Sequence, residues 1–363
     1  MVAVRIVVFL LGAAVAVAVL LSAIRTVVLP RAQRVKLSRA VFLSVRSVFN
    51  LRLRLAKTYE DRDRALALYA PLCLIMLPAA WMAITVGAFT AMFWALGIGS
   101  WHRAFAASGS SVTTLGFEAP VDVATDVLAV VEAALGLGLI ALMISYLPSI
   151  YSSFQRRELA VNLLEVRAGT PPAAETLIVR HHRIGLHDRS DVLFRDWETW
   201  FADIEETHTS HPALVFFRSP LAGRSWITAA GATLDAAALM TSTVAGTDTP
   251  EAQLCLRAGF LALRKIADFY GIAHDPNPRP GDPISIHRSE WEETVDRLVA
   301  EGVEVRADRD QAWRDFAGWR VNYDQVLLSL AALVVAPYAP WSSDRSARSS
   351  VGRFRRIQPL RGN

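Results

Sequence analysis

Apolar and polar positions divide the chain near residue 150. Before that point, long uncharged runs alternate with basic segments. After it, charged and apolar residues interleave as they do in amphipathic helices. Residues 6–24 carry no charge, and about 20 residues suffice to cross a hydrocarbon core roughly 30 Å thick. A cleavable leader would have a shorter apolar region, roughly 7–15 residues, followed by a small-residue cleavage site. Here the run continues through Arg25 into residues 27–29, so an uncleaved span is expected. Residues 72–96 form a second span, with Pro78 and Gly87 inside it; a membrane tolerates both because neighbouring helices re-satisfy the backbone. Residues 127–150 form a third.

Beyond the third span the periodicity predicts helices only. One continues through residues 159–167 to a stop at Gly169-Thr170-Pro171-Pro172, and another covers 173–183. Residues 191–206 place Leu193, Trp197, Trp200, Phe201 and Ile204 on one face, which reads as core. Residues 226–244 are rich in Ala, Gly and Thr and interrupted by Asp235, too weakly apolar for a span. Thr249-Pro250 opens a helix with Leu256, Phe260, Leu263, Ala267 and Tyr270 aligned. Ser289 with Glu292 forms a candidate capping box. Residues 311–335 read as the last helical region, and the polar, basic stretch 342–363 as disordered. The fold class expected is therefore an all-α membrane protein. Its divisions are a first transmembrane helix (1–30), a basic interfacial segment (31–70), a membrane core (71–154), a helical cytoplasmic domain (155–341) and a tail (342–363).

Charge sets the orientation. Arg31, Arg34, Lys36, Arg39, Arg46, Arg52, Arg54, Lys57, Arg62 and Arg64 lie between the first two spans, whereas the next two are separated only by His102 and Arg103. The positive-inside rule puts the basic loop and the C-terminal half in the cytoplasm, with the N-terminus and residues 97–125 outside. The loop's apolar positions, Val41, Phe42, Val45, Val48, Phe49 and Leu51, suit a helix lying on anionic lipid headgroups. Of the 38 Lys and Arg, only Lys36, Lys57 and Lys265 are lysine, a bias typical of GC-rich bacterial codon usage; the plasma membrane of a bacterium is the expected location. The formal charge of +4 implies no nucleic-acid partner, because the arginines follow the membrane edges. Cys73 and Cys255 have no metal or disulfide spacing.

The outer segment carries the chemistry. Residues 101–112 are rich in small residues and make a helix of about three turns. They end in Thr113-Thr114-Leu115-Gly116-Phe117-Glu118. This order, span, short helix, Thr- and Gly-containing segment, span, resembles the pore domain of tetrameric potassium channels, whose filter reads Thr-Val-Gly-Tyr-Gly. The run from Tyr146 to Phe154, followed by Gln155-Arg156-Arg157-Glu158, is also similar to prokaryotic potassium-channel-like membrane proteins. The resemblance covers residues 72–158 and implies a re-entrant pore helix, a filter at Thr113, Thr114, Leu115, Gly116 and Phe117, and a homotetramer. A filter replaces the water of a cation, here a monovalent ion such as potassium, with backbone carbonyls, and Gly116 permits the backbone angles involved. Where the family has a second glycine this chain has Glu118, which implies a carboxylate ring at the outer mouth and leaves selectivity among monovalent cations open. In the third span, Gly136 and Gly138 read either as an inner-helix hinge or as close packing. Glu132 reads either as a partner of pore-helix hydroxyls, such as those of Ser110 or Ser111, behind the filter or as a cavity-lining carboxylate.

Three functions fit this sequence: a multimeric cation channel with a cytoplasmic regulatory or assembly domain, a non-conducting scaffold or sensor with the same fold, and a membrane-tethered enzyme. The last rests on His181, His182, His187, His208 and His211 alone. No His-Glu-x-x-His, G-x-G-x-x-G, Walker or nucleophile-elbow pattern accompanies them, so they are read as exposed helix-end residues and no enzyme activity or cofactor is expected.

Overall fold

The computed structural model describes residues 2–29, 36–53, 58–185, 190–246 and 250–346. These are helices joined by turns, with one isolated antiparallel bridge between Val244 and Val305. The chain forms two compact units, residues 1–152 and 153–363.

The first unit contains α1 (Val2–Val27), α2 (Lys36–Leu53), α3 (Tyr59–Ala67), α4 (Tyr69–Leu96), α5 (Trp101–Val112) and the first part of α6 (Val123–Ala168). Three stretches, α1, α3 with α4, and α6, are long and apolar enough to cross a membrane, which points to a multi-pass membrane protein. α1 packs along α4. Gly12 permits this, since a Cβ there would sit 2.7 Å from the Ala88 carbonyl oxygen. Lower in the same contact the buried Trp81 indole donates to Ser22 Oγ at 3.2 Å. α4 stops at Gly97, whose φ of +95° suits glycine. There the Ile98 amide reaches back to Phe93 O at 3.3 Å and the Gly97 amide to Trp94 O at 3.1 Å, the paired bonds of a Schellman end.

The second unit contains the remainder of α6, then α7 (Ala174–Arg183), α8 (Ser190–Ser210), a 3-10 turn (Pro212–Phe216), α9 (Trp226–Ser242), α10 (Pro250–Tyr270), α11 (Arg288–Ala300), α12 (Arg309–Arg320), α13 (Asp324–Val334) and α14 (Ser343–Ser346). α9 is its central rod and is buried along almost its whole length, with α7, α10, α12 and α13 packed on it. The small side chains that made this segment too weak for a span let its neighbours approach closely. Gly259 of α10 lies directly against Leu234. Asp235 is the polar exception in α9. It pairs with the buried Arg320 and accepts from Tyr323 Oη at 2.9 Å. Arg320 also donates to Asp324 at 2.8 Å and to Trp341 O at 2.6 Å. Burial pushes the Asp235 carboxyl up, against the opposing pull of Arg320.

Several sequence expectations change here. The single helical region 311–335 is two helices, broken by the turn at Val321, Asn322 and Tyr323. The break places Arg320, Tyr323 and Asp324 together around Asp235. The cap of α11 is His287, whose amide donates to Glu290 Oε2 at 2.8 Å, and Ser289 lies inside the helix. Of the stretch 342–363, residues 342–346 are described, with Ser342 and Ser343 buried. The rest of that stretch lies outside the described residues, as do Arg31, Arg34, Arg54, Lys57, His187 and Thr249.

Candidate functional site

α5 begins at Ser100, whose hydroxyl accepts from the Arg103 amide at 3.2 Å, a standard N-cap. Its buried face is made of small residues, Ala104, Ala107, Ser108 and Ser110, together with Val112. Ala104 and Ala107 join a cluster with Phe89, Met92 and Phe93 of α4 and Leu128 of α6. Trp101 stacks on Trp94 with ring centroids 4.9 Å apart, fixing the entry to α5.

The far end of α5 determines the shape of residues 113–118. The Thr114 amide donates to Ser111 O at 3.0 Å and the Leu115 amide to Ser110 O at 3.0 Å, with Thr114 at φ +58°. This is again a Schellman end, but it has a β-branched residue where glycine is usual. The strain is about 1–2 kcal/mol. The Gly116 amide follows to Ser110 O at 3.5 Å, with Gly116 at φ +70°. The Glu118 amide then donates to Ser110 Oγ at 3.2 Å. Four amides of the segment therefore turn toward α5. A trans peptide holds its C=O opposite its N–H, so the carbonyls of Thr113, Thr114, Leu115 and Phe117 turn away from α5. Among the described residues none of these four oxygens accepts a hydrogen bond. Around them the side chains stand uncovered: Leu115 is 71% and Phe117 63% exposed. The C-terminal, partially negative end of α5 lies beneath them.

Glu118 is tied down within its own chain: its Oε1 lies 2.9 Å from Arg103 Nε. The sequence names Glu118 and Arg103 separately but does not pair them, although Glu118 is the only acid, and Arg103 the only arginine, in the stretch 97–121. Outside the span that follows, Asp122 closes a tight cap. Its Oδ1 accepts from the Thr125 amide at 2.8 Å and from Thr125 Oγ1 at 2.9 Å. These bonds hold the Asp122 carboxyl below its ordinary range.

Glu132 on α6 is fully buried. Its Oε1 lies 2.5 Å from Ser108 Oγ, and that hydroxyl is also 3.1 Å from Val86 O of α4. The partner is a hydroxyl of α5, as expected, but of Ser108 and not of Ser110 or Ser111. Ser110 serves the Glu118 amide, Ser111 bonds Ala107 O, and Ser108 meets Glu132. One hydroxyl hydrogen cannot donate to both acceptors at once, and Val86 O also accepts from Thr90 Oγ1 at 2.7 Å. Glu132 Oε2 meets no partner among the described residues. The helical spacing Ala104, Ala107, Ser108, Ser111 was the signal available for Ser108: it marks one small-residue face.

Gly136 and Gly138 separate in role. A Cβ at Gly136 would lie 2.5 Å from Val112 O and 3.0 Å from Val112 Cγ2, whereas one at Gly138 would meet nothing within 4 Å. Gly136 is where α6 touches the last turn of α5.

In the second unit the histidines do not gather. Among the described residues no group of three or more His, Cys, Asp or Glu could hold a metal. The expectation that these histidines are exposed is overturned for two of them. His181 and His208 are buried, and each is held below the ordinary histidine value by burial and by a nearby arginine, Arg167 and Arg157 respectively. Arg157, itself buried, bonds Glu158 at 2.8 Å, Leu214 O at 2.7 Å and Phe217 O at 2.8 Å, and so ties α6 to the 3-10 turn. No family model, no curated protein and no solved structure matches this chain.

Proposed function

We propose that the protein is a subunit of a multimeric channel for monovalent cations, potassium-permeable, with residues 113–117 as its filter and α5 as its pore helix. The observation that carries this reading is the row of unpaired carbonyls of Thr113, Thr114, Leu115 and Phe117, turned away from α5 on a segment between two membrane-length helices. Inward-facing carbonyl oxygens are the groups that replace a cation's hydration shell. Irregular backbone at membrane depth is tolerated where it lines water or is buried in protein. The strained Thr114 adds support, because such strain clusters at functional segments.

One chain supplies one side of an ion path, so conduction needs several copies, most simply four. The uncovered Leu115 and Phe117, and the exposed Val127, Val130, Leu137, Ile140 and Ile144 of α6, offer apolar surface for neighbouring copies and for lipid. In this arrangement the N-terminus and residues 97–125 lie outside the plasma membrane and the second unit is cytoplasmic, serving gating or assembly. The test is flux into liposomes holding the purified protein, with potassium and sodium compared. Wild type passes potassium and Gly116→Val abolishes flux, because a β-branched residue resists the φ of +70°. If wild type passes no monovalent cation, the channel reading fails.

A second reading, a non-conducting scaffold of the same fold, draws on the Arg103–Glu118 pair, which engages the carboxylate expected at the mouth. Unchanged cell function with Gly116→Val would favour it.

A further inference from the structure

α2 carries Lys36, Arg39, Arg46 and Arg52 and no acidic residue. It packs on α3 and α4. One face is fixed by aromatic contacts: Phe42 and Phe49 meet the Tyr69 ring edge-on at 6.4 and 5.6 Å, and Tyr69 Oη donates to Phe42 O at 3.1 Å. The Arg46 guanidinium lies 5.3 Å from the same ring. The helix nevertheless keeps apolar residues on its unpacked side, with Val48 68% exposed alongside Leu43 and Leu51. A basic helix with apolar residues left uncovered suits the boundary between headgroups and acyl chains.

Between α2 and α4 lies an apolar groove of about 370 Å³, lined by Val48, Phe49, Leu68, Pro71, Leu72 and Ile75. Arg52, exposed on α2, is the only charged residue in its lining. The α4 wall of the groove belongs to a membrane-length stretch, and Ile75 is 62% exposed there.

We propose that this groove binds one anionic phospholipid, with an acyl chain along Pro71, Leu72 and Ile75 against Phe49 and Val48, and the phosphate on Arg52. Charge complementarity selects the headgroup. A guanidinium beside an apolar trough favours a lipid of net negative charge over a zwitterionic one. The site rests on the membrane reading of α4 and on nothing about conduction.

The test is native mass spectrometry of the full chain released from detergent, titrated with dioleoyl phosphatidylglycerol and, separately, dioleoyl phosphatidylcholine. Wild type is expected to retain the glycerol lipid about fivefold better, the equivalent of the ~1 kcal/mol one basic side chain contributes at an anionic surface. Arg52→Gln brings the two lipids level, whereas Arg62→Gln, on the exposed side of α3, leaves the preference intact. Ile75→Trp, which fills the groove, weakens retention of the glycerol lipid. Equal retention of both lipids by wild type overturns the proposal. So does an Arg62→Gln effect as large as that of Arg52→Gln, or unchanged retention in Ile75→Trp. No ion flux enters the readout, so failure here and failure of the channel reading are told apart.

Discussion

Replacing Gly136 with alanine inserts one methyl group where α6 touches the end of α5. The new Cβ would stand 2.5 Å from Val112 O and 3.0 Å from Val112 Cγ2. Contact of a methyl carbon with a carbonyl oxygen needs roughly 3.3 Å or more, so the two helices must part by most of an ångström. Forced overpacking of this kind costs about 1–3 kcal/mol. The backbone oxygen cannot swing aside as a flexible side chain would, which puts the expected cost in the upper part of that range. The displacement also acts on function. Val112 is the last residue of α5, and Ser110 and Ser111 hold the amides of Thr114, Leu115, Gly116 and Glu118. Gly138→Ala is the matched control: its methyl meets nothing within 4 Å, and alanine favours the helix by up to ~1 kcal/mol. The assay is thermal unfolding in detergent followed by tryptophan fluorescence, run beside the liposome flux measurement. Gly136→Ala should unfold several degrees below wild type with reduced flux, while Gly138→Ala unfolds at or above wild type. If the two variants unfold together, Gly136 is not a packing contact and the placement of α6 against α5 is wrong.

Other perturbations probe separate parts of the molecule. Glu132→Gln keeps an acceptor for Ser108 and should unfold near wild type, whereas Glu132→Ala removes it beside a cavity and should cost about 2 kcal/mol by denaturant midpoint; equal loss in both would show that the Ser108 contact does not hold α6. Thr114→Gly relieves the φ of +58° and should stabilise by about 1 kcal/mol while changing ion flux through loss of the hydroxyl; a destabilised variant would contradict the strain assignment. Asp235→Ala removes one of the two carboxylates on the buried Arg320 and the acceptor of Tyr323 Oη, and should cost about 1–3 kcal/mol, shown by faster amide exchange in α9 and α12. For acid, the sign follows from three depressed histidines. His181, His208 and His211 all sit below the ordinary 6.5 in the folded state, chiefly through burial. As pH falls through 6.5 the unfolded chain takes up protons that the folded chain refuses, so stability drops on acidification, by at most ~1.4 kcal/mol per pH unit for each histidine. Exchange in α8 measured at pH 7.5, 6.0 and 5.0 checks this, and His208→Phe should flatten part of the slope.

The helices were legible in the sequence because they rest on local signals. Uncharged runs of membrane length marked α1, α4 and α6, and a 3.6-residue stripe of Leu193, Trp197, Trp200 and Ile204 marked α8. What the sequence hid depends on partners distant along the chain. Asp235 read as a blemish in an apolar segment, and only the turn after Arg320, 85 residues on, shows it as one half of a buried pair. The split of 311–335 has the same origin: no proline interrupts the stretch, and the turn at residues 321–323 brings Arg320, Tyr323 and Asp324 around Asp235. The site divides along the same line. The positive φ of Gly116 was legible because it is a property of one residue and its type. The partner of Glu132 was missed because Ser108, Ser110 and Ser111 are alike in composition, and the choice among them turns on which face of α5 meets α6. Gly136 and Gly138 look equivalent for the same reason. Two residues along a helix rotate a position by about 200°, so one faces Val112 and the other faces open space.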